Sequence, residues 1–359
     1  MSDLKIRSVW LLLIVVLIGA LVLTSGGCSG QKPAGEKTPA SNEKTEPITL
    51  RLASTLPVGH HQTRACDFFK QLVEERSQGK VRIEHYPAMQ LYSDKDLVDV
   101  LPRGGVEIAN IHYGMWTGLV PEFGLLDIMG LVDGPEHSYR IQDDPEVREI
   151  IGKKLAEKGN AILLDWLGME ARGPLTTRKV EKLEDWKGMK VRAHSEYCSY
   201  WFKALGASPV VMSSGEVYQA LQRKAIEGVM SGGTSYIQRK FVEVGKYAID
   251  NPFIGYSAFA LVINKDTWDK LPKDIQKIMI QAGKEANDFN RQEAHKDEEA
   301  SWAQMRQMPG FTVVHLSDQE TKRWREATLP YQREIFEQRV GKETADKLFA
   351  RVEALREKK

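Results

Sequence analysis

Ile48-Thr-Leu-Arg-Leu-Ala53, Val81-Arg-Ile-Glu-His-Tyr86 and Ile108-Ala-Asn-Ile111 are three apolar segments of strand length. The first two alternate apolar and polar residues, the period of a half-buried strand. Between them Ala65, Phe69, Leu72, Val73 and Arg76 recur at helical spacing, which predicts a helix from Gln62 to Ser77, stopped by Gln78-Gly79. A second helical stretch, Lys95 to Leu101, precedes the third strand. The order β-α-β-α-β predicts a parallel-type α/β sheet.

The pattern continues downstream. Glu146 to Lys158 is a helix ended by Gly159, and Ala161 to Leu167 is a buried strand. Lys190-Val-Arg192 is a strand, and Tyr197 to Leu205 a helix ended by Gly206. Ser213-Ser-Gly-Glu216 has the spacing of a capping box and opens a helix with Val217, Ala220 and Leu221 on one face. Phe259 to Asn264 is a strand. Leu271 to Met308 is one long charged helical region, and Phe311 to His315 a last strand before further helices. No internal repeat of fixed period occurs.

Upstream the chain changes character. Lys5 and Arg7 precede an apolar run, Trp10 to Leu23, and then Thr24-Ser-Gly-Gly-Cys28. A basic start, an apolar run and small residues form an export signal. The run is short of the roughly 20 residues a membrane-spanning helix needs. The end of this segment resembles a bacterial lipobox, with Cys28 as the lipidated residue, although Ser25 stands where Leu is usual. Plain secretion and an uncleaved anchor are the alternatives. Residues 29–47 are rich in Pro, Gly, Lys and Glu, with no apolar period, and read as a disordered tether.

Composition narrows the function classes. The chain has 359 residues, with 50 Lys+Arg against 49 Asp+Glu and a formal charge of +1. That balance argues against a nucleic-acid binder relying on a general basic field. A hydrophobic content of 42% with 28% charged residues is that of an ordinary globular chain. Three cysteines with no CxxC pair exclude a disulfide scaffold and thiol-based zinc motifs. Cys66 and Cys198 read as buried free thiols, with a disulfide between them left open. No GxGxxG, P-loop, GxSxG or HExxH motif is present, so no cofactor, metal site or catalytic nucleophile is expected. His60-His61 is adjacent and cannot present an i,i+4 metal pair.

Residues 172–236 carry the functional signal. Arg192 ends an apolar strand just before a turn and an aromatic helix. Strand C-termini are where α/β proteins place ligands, and arginine pairs bidentately with a carboxylate. Position alone leaves a surface arginine in a local ion pair as the alternative.

Several fragments, taken in order, resemble the solute-binding subunits of tripartite ATP-independent periplasmic (TRAP) transporters, the dicarboxylate-binding type. They are Tyr86-Pro-Ala-Met-Gln-Leu91, Gly105-Val-Glu-Ile-Ala109, Val120-Pro-Glu122, Glu136-His137, Asp185-Trp-Lys-Gly-Met-Lys-Val-Arg192 and Glu216-Val-Tyr-Gln-Ala-Leu-Gln222, followed by Asn264, Trp268 and Leu271-Pro272. The resemblance covers most of residues 48–350. It implies an α/β, two-lobed periplasmic-binding-protein-like fold with a hinge, crossing strands and a long helix spanning both lobes. Lobe I would comprise 48–169 and 258–297, and lobe II 170–257 and 298–359. It implies capture of an organic acid and delivery to the small and large membrane subunits of an ion-gradient-driven permease. It assigns the carboxylate contact to Arg192 and a second contact to Arg172, with local ion pairing the alternative for Arg172. Where many members carry Gln-Glu-Asn-Pro this chain has Val229-Met-Ser-Gly232, so Ser231 stands at the asparagine position and offers a hydroxyl in place of an amide. Ser54, Thr55, Gln90, His112, Tyr113 and Trp116 are candidates from the first lobe. Tyr197, Trp201 and Tyr236 are candidate walls from the second, with a core role the alternative for Trp201. A module feeding a sensor kinase or chemoreceptor is the competing reading. An exported enzyme would need a nucleophile–base pair, which the sequence does not show.

Overall fold

The computed structural model describes residues 46–251 and 254–356. The signal, lipobox and most of the tether lie outside them. The first sheet is built as the alternation requires. β1 (Ile48–Ser54), α1 (His61–Arg76), β2 (Val81–Tyr86), α2 (Leu97–Val100) and β3 (Ile108–His112) follow one another. β1 pairs in parallel with both β2 and β3. Leu50, Leu52 and Ile83 go under α1, where Ala65, Phe69 and Val73 meet them in one core. α3 (Gly124–Asp127), α4 (Pro135–Asp143) and α5 (Pro145–Lys158) lead to β4 (Ala161–Ala171).

The second sheet starts immediately after. Its elements are β5 (Leu175–Thr176), β6 (Lys190–Ala193), α6 (Glu196–Ala204), β7 (Ser208–Val211), α7 (Val217–Gln222), β8 (Gly228–Val229), α8 (Gly233–Gln238), α9 (Phe241–Val244) and β9 (Tyr247–Ile249). The chain then returns to the first sheet as β10 (Gly255–Asn264), and α10 (Lys265–Lys270) and α11 (Lys273–Gln307) follow. β11 (Thr312–Val314) pairs with β9, and α12 (Asp318–Val340) and α13 (Lys342–Ala354) close the chain. The strand orders are β2-β1-β3-β10-β4 and β11-β9-β5-β8-β6-β7.

The parallel-type expectation needs correction at two strands, β5, which is antiparallel to β8 and β9 in the second sheet, and β10 in the first. β10 runs antiparallel to both neighbours, β3 and β4. It enters from the second sheet, so its direction is opposite to strands that leave the first. All ten of its residues are buried, which fits a central strand.

α11 serves both halves. Ile275, Met279, Ala282 and Ala286 pack in the first core, while Trp302 and Met305 pack with Leu175, Val229 and Tyr236 of the second sheet. Its middle is polar but satisfied: Asn290 is fully buried, donating to the Gly168 carbonyl at 2.9 Å and bonding His61 Nδ1 at 2.9 Å.

The capping box at 213–216 forms by half. The Ser213 backbone N–H donates to Glu216 Oε2 at 3.0 Å. The Ser213 hydroxyl turns away to Met89 Sδ at 3.9 Å. Both Cys66 and Cys198 are free and buried.

Candidate functional site

β6 places Arg192 at its C-terminal end, between the ends of its parallel neighbours β7 and β8. Those ends expose the carbonyls that hold the guanidinium. Arg192 Nε donates to Met212 O at 3.1 Å and Nη1 to Met230 O at 3.2 Å. The residue is only 4% exposed, and burial lowers its basicity. Among the described residues no carboxylate lies within ion-pair distance of it. A buried cation held only by neutral carbonyls is electrostatically unfinished.

The space it faces is a partly open cavity between the two sheets. Its polar wall includes Thr55, Asp94, His112, His194 and Arg239, with the hydroxyls of Ser214, Ser231, Ser235 and Ser257. Its apolar wall is Leu56, Met115, Met169, Met230 and Phe259.

Arg239, at the C-terminal cap of α8, was not among the candidates drawn from sequence. Its Nη2 donates to the Thr55 carbonyl at 2.8 Å, tying α8 to the end of β1. Burial, with the charge of Arg192 nearby, brings its pKa down to about 10. Asp94 partly balances the two arginines. Its Oδ2 accepts from the Ser214 N–H at 3.2 Å and hydroxyl at 3.1 Å, and its Oδ1 has no partner. Burial pushes the Asp94 carboxyl up, but the hydrogen bonds from Ser214 and the charge of Arg192 outweigh that and hold it low.

His112 is a fixed hydrogen-bond donor. Its Nδ1 accepts from the Gly114 N–H at 3.0 Å, which puts the ring proton on Nε2, 2.5 Å from Ser257 Oγ. Burial brings His112 down to about 3, and His194 as well, so both are neutral at physiological pH. His112, Asp127 and His194 each bring one ligand atom within 4.8 Å of the others, a spacing a metal ion could use. The tautomer argues against it, because Nε2 carries the proton and a metal there would strip the bond to Ser257. Gly114 is required beneath this cluster, since a Cβ there would lie 2.5 Å from Asp127 Oδ2 and 2.6 Å from Ser195 Cβ.

The other sequence candidates divide. Arg192, Thr55, His112 and Ser231 line the cavity. Ser54 is turned to His85 Nε2 at 2.8 Å, and Gln90 is exposed away from the cavity. Tyr113 and Trp116 sit in a short 3-10 turn that rotates them into the core, with the Tyr113 hydroxyl on main-chain carbonyls such as Tyr256 O, 3.1 Å away. Tyr197 is in the same core, and Trp201 packs with Trp186 and Trp324. Tyr236 acts behind the wall: its hydroxyl donates to Gly173 O at 2.8 Å and accepts from the Ser231 N–H at 2.9 Å. Arg172 lies outside the cavity lining, ion-paired with Glu299, with Asp250 at 3.7 Å and with Glu170 at 3.8 Å.

Two mixed sheets meeting over a buried arginine and a partly open pocket are the arrangement of a solute-binding protein. The family model described as bacterial extracellular solute-binding protein, family 7 (DctP) matches residues 52–339, and the chain belongs to that family. It is 30% identical over 306 residues to the C4-dicarboxylate-binding periplasmic protein DctP of Rhodobacter capsulatus, covering 83% of this chain and 89% of that protein. It is 26% identical to the sialic acid-binding periplasmic protein SiaP of Vibrio cholerae, over 84% of this chain and 92% of that one. Among solved structures, the sugar acid binding protein of Advenella mimigardefordensis in complex with galactonate matches with a TM-score of 0.81 at 25% identity, covering 87% of this chain and 99% of that one. A TRAP solute-binding protein of Sulfurospirillum deleyianum with bound succinate matches with a TM-score of 0.79 at 27% identity, covering 87% of this chain and all of that one. Among the described residues no helix is long and apolar enough to cross a membrane.

Proposed function

We propose that this chain captures an organic acid through its carboxylate, between two lobes, and delivers it to a TRAP permease driven by an ion gradient. The observation that supports the reading best is Arg192: a buried guanidinium at a strand terminus, facing a partly open cavity, with no carboxylate among the described residues paired to it. A ligand carboxylate completes it, and the low dielectric of the closed cavity strengthens the pair. Closure is a ligand-shifted equilibrium, and the closed form presents the surface the membrane subunits meet. The lobes are those expected from the resemblance, residues 48–169 with 258–297 and residues 170–257 with 298–359. They hinge at boundaries that fall near the C-terminal end of β4, near the N-terminal end of β10 and within α11. Binding and release without chemistry is the role, in keeping with relatives that are solute-binding proteins.

Cys28 is lipidated in this reading, which anchors the protein at the membrane surface in the cell envelope. Labelled palmitate incorporated by wild type and lost in Cys28→Ser supports the anchor; equal labelling of both refutes it. The ligand reading is tested by calorimetric titration with mono- and dicarboxylates. A heat of binding for at least one, with none for the matching neutral amides, is the expected result. Silence across all the acids would overturn it.

A further inference from the structure

Adjacent residues on α11 hold elements of the two different cores. Asp297 Oδ2 pairs with Arg64 Nη1 of α1 at 3.1 Å, and Glu293 Oε2 with Arg64 Nη2 at 2.6 Å. Glu298, the next residue, reaches α8 instead.

Glu298 is only 2% exposed, and each of its oxygens accepts twice. Oε1 accepts from the Gly233 N–H at 2.7 Å and from Trp302 Nε1–H at 2.9 Å. Oε2 accepts from the Thr234 N–H at 3.1 Å and the Thr234 hydroxyl at 3.3 Å. All four donors are neutral, and burial raises the carboxyl to about 7. A protonated carboxyl keeps these contacts, because the Thr234 hydroxyl can accept in place of donating. An amide at this position cannot, since its nitrogen has no lone pair for the Thr234 N–H.

The Gly232-Gly233 pair makes the close approach possible. A Cβ at Gly233 would lie 2.9 Å from Trp302 Nε1 and 3.1 Å from Glu298 Oε1, and one at Gly232 would lie 2.7 Å from Glu170 O. Gly232 ends the Val229-Met-Ser-Gly stretch in which this chain departs from the Gln-Glu-Asn-Pro pattern, so the departure falls where α8 docks on α11.

α8 and the turn before it bring Ser231, Ser235 and Arg239 to the cavity lining. The far end of α8 meets the first sheet: Arg239 donates to the Thr55 carbonyl, and Ser235 Oγ lies 3.4 Å from His60 Nε2 at the N-cap of α1. We propose that Glu298 is a positioning residue for the binding site: it fixes α8, and with it Ser231, Ser235 and Arg239, to the helix that also carries the ion pairs to α1. Movement about α11 then passes to the cavity wall through one side chain. The assignment of a binding role rests on the reading of this cavity as the ligand site.

The test has two arms, each on the full chain as wild type, Glu298→Gln and Gly233→Ala. Amide hydrogen exchange without ligand should quicken across residues 231–239 by about tenfold or more in both variants, while the strands of the first sheet exchange as in wild type. In calorimetric titration with pyruvate, succinate and galactonate, an acid that wild type binds should bind each variant about tenfold or more weakly. Unchanged exchange at 231–239 in both variants, or quickening throughout the chain in both, would overturn the proposal. Faster exchange at 231–239 with undiminished affinity would also overturn it, leaving Glu298 a structural tie. Silence of wild type towards all three acids would count against the carboxylate reading alone, because the exchange arm needs no ligand and still decides whether Glu298 holds α8.

Discussion

Replacing Arg192 with methionine separates what this residue does for binding from what it does for folding. Truncating one partner of a buried, hydrogen-bonded charge pair costs about 2–5 kcal/mol. At about 1.4 kcal/mol per tenfold, the carboxylate ligand binds roughly 30- to 4,000-fold more weakly. Folding responds differently. The substitution removes a buried cation whose desolvation costs several kcal/mol. It also leaves Met212 O and Met230 O without a donor, at about 1–3 kcal/mol each. These opposing contributions nearly cancel. The ligand-free melting temperature should move by no more than about 4 °C, at roughly 2 °C per kcal/mol for a chain of this size. Thermal unfolding with and without ligand reads both quantities. At about 1,000 times the wild-type Kd, ligand stabilises wild type by about 4 kcal/mol, or roughly 8 °C. A variant weakened about a thousandfold gains about 0.4 kcal/mol, roughly 1 °C, at the same concentration. A ligand-induced rise equal to wild type in Arg192→Met would refute the role of Arg192. A ligand-free fall of more than about 10 °C would refute the claim that its charge is a burden on the fold.

Arg172→Met should leave the affinity within about threefold of wild type, because Arg172 pairs with Glu170, Asp250 and Glu299 outside the cavity, while leaving the buried Glu170 without that cation lowers the melting temperature; a large loss of affinity would return it to the site. Burial raises the Asp127 carboxyl from 3.8 to about 6, so the folded state holds this proton more tightly than the unfolded state. Stability from this group is therefore lost as pH rises through that interval. Asp127→Asn should match wild type near pH 3 and exceed it above pH 6, by at most about 3 kcal/mol, in urea unfolding across pH; a constant difference at all pH values would contradict the assignment. Cys66 and Cys198 are buried, and burial raises both thiols, so neither should react with a thiol reagent in the native protein while both react in denaturant.

The first sheet is readable in the sequence because a period of two and a period of 3.6 alternate cleanly from Ile48 to His112. Strand direction is not: Phe259 to Asn264 looks the same entering from either end, and only the chain's return from the second sheet makes β10 antiparallel. β5 and β8 are two residues each, defined by their neighbours and invisible to any periodicity. Arg192 is legible from its place at a strand end. His194 is legible in principle, two residues on and so on the same side of an extended chain. Tyr113 and Trp116 mislead because residues following a strand are expected to face the ligand, and here the turn swings them into the core. Arg239 sits beside Lys240 at the end of a six-residue helix and reads as solvated charge; its burial exists only once α8 meets the end of β1.

The first sheet takes its strands from residues 48–171 and 255–264, and the second from 175–249 and 312–314. Neither is a contiguous stretch of chain. The second-sheet side of the cavity nonetheless comes from one stretch, Arg192 to Arg239, whereas the first-sheet side draws on Thr55 to Met169 and again on Ser257 and Phe259. Exchange of that one stretch would replace one wall of the cavity, while the other wall, split between two distant segments, comes only with the frame.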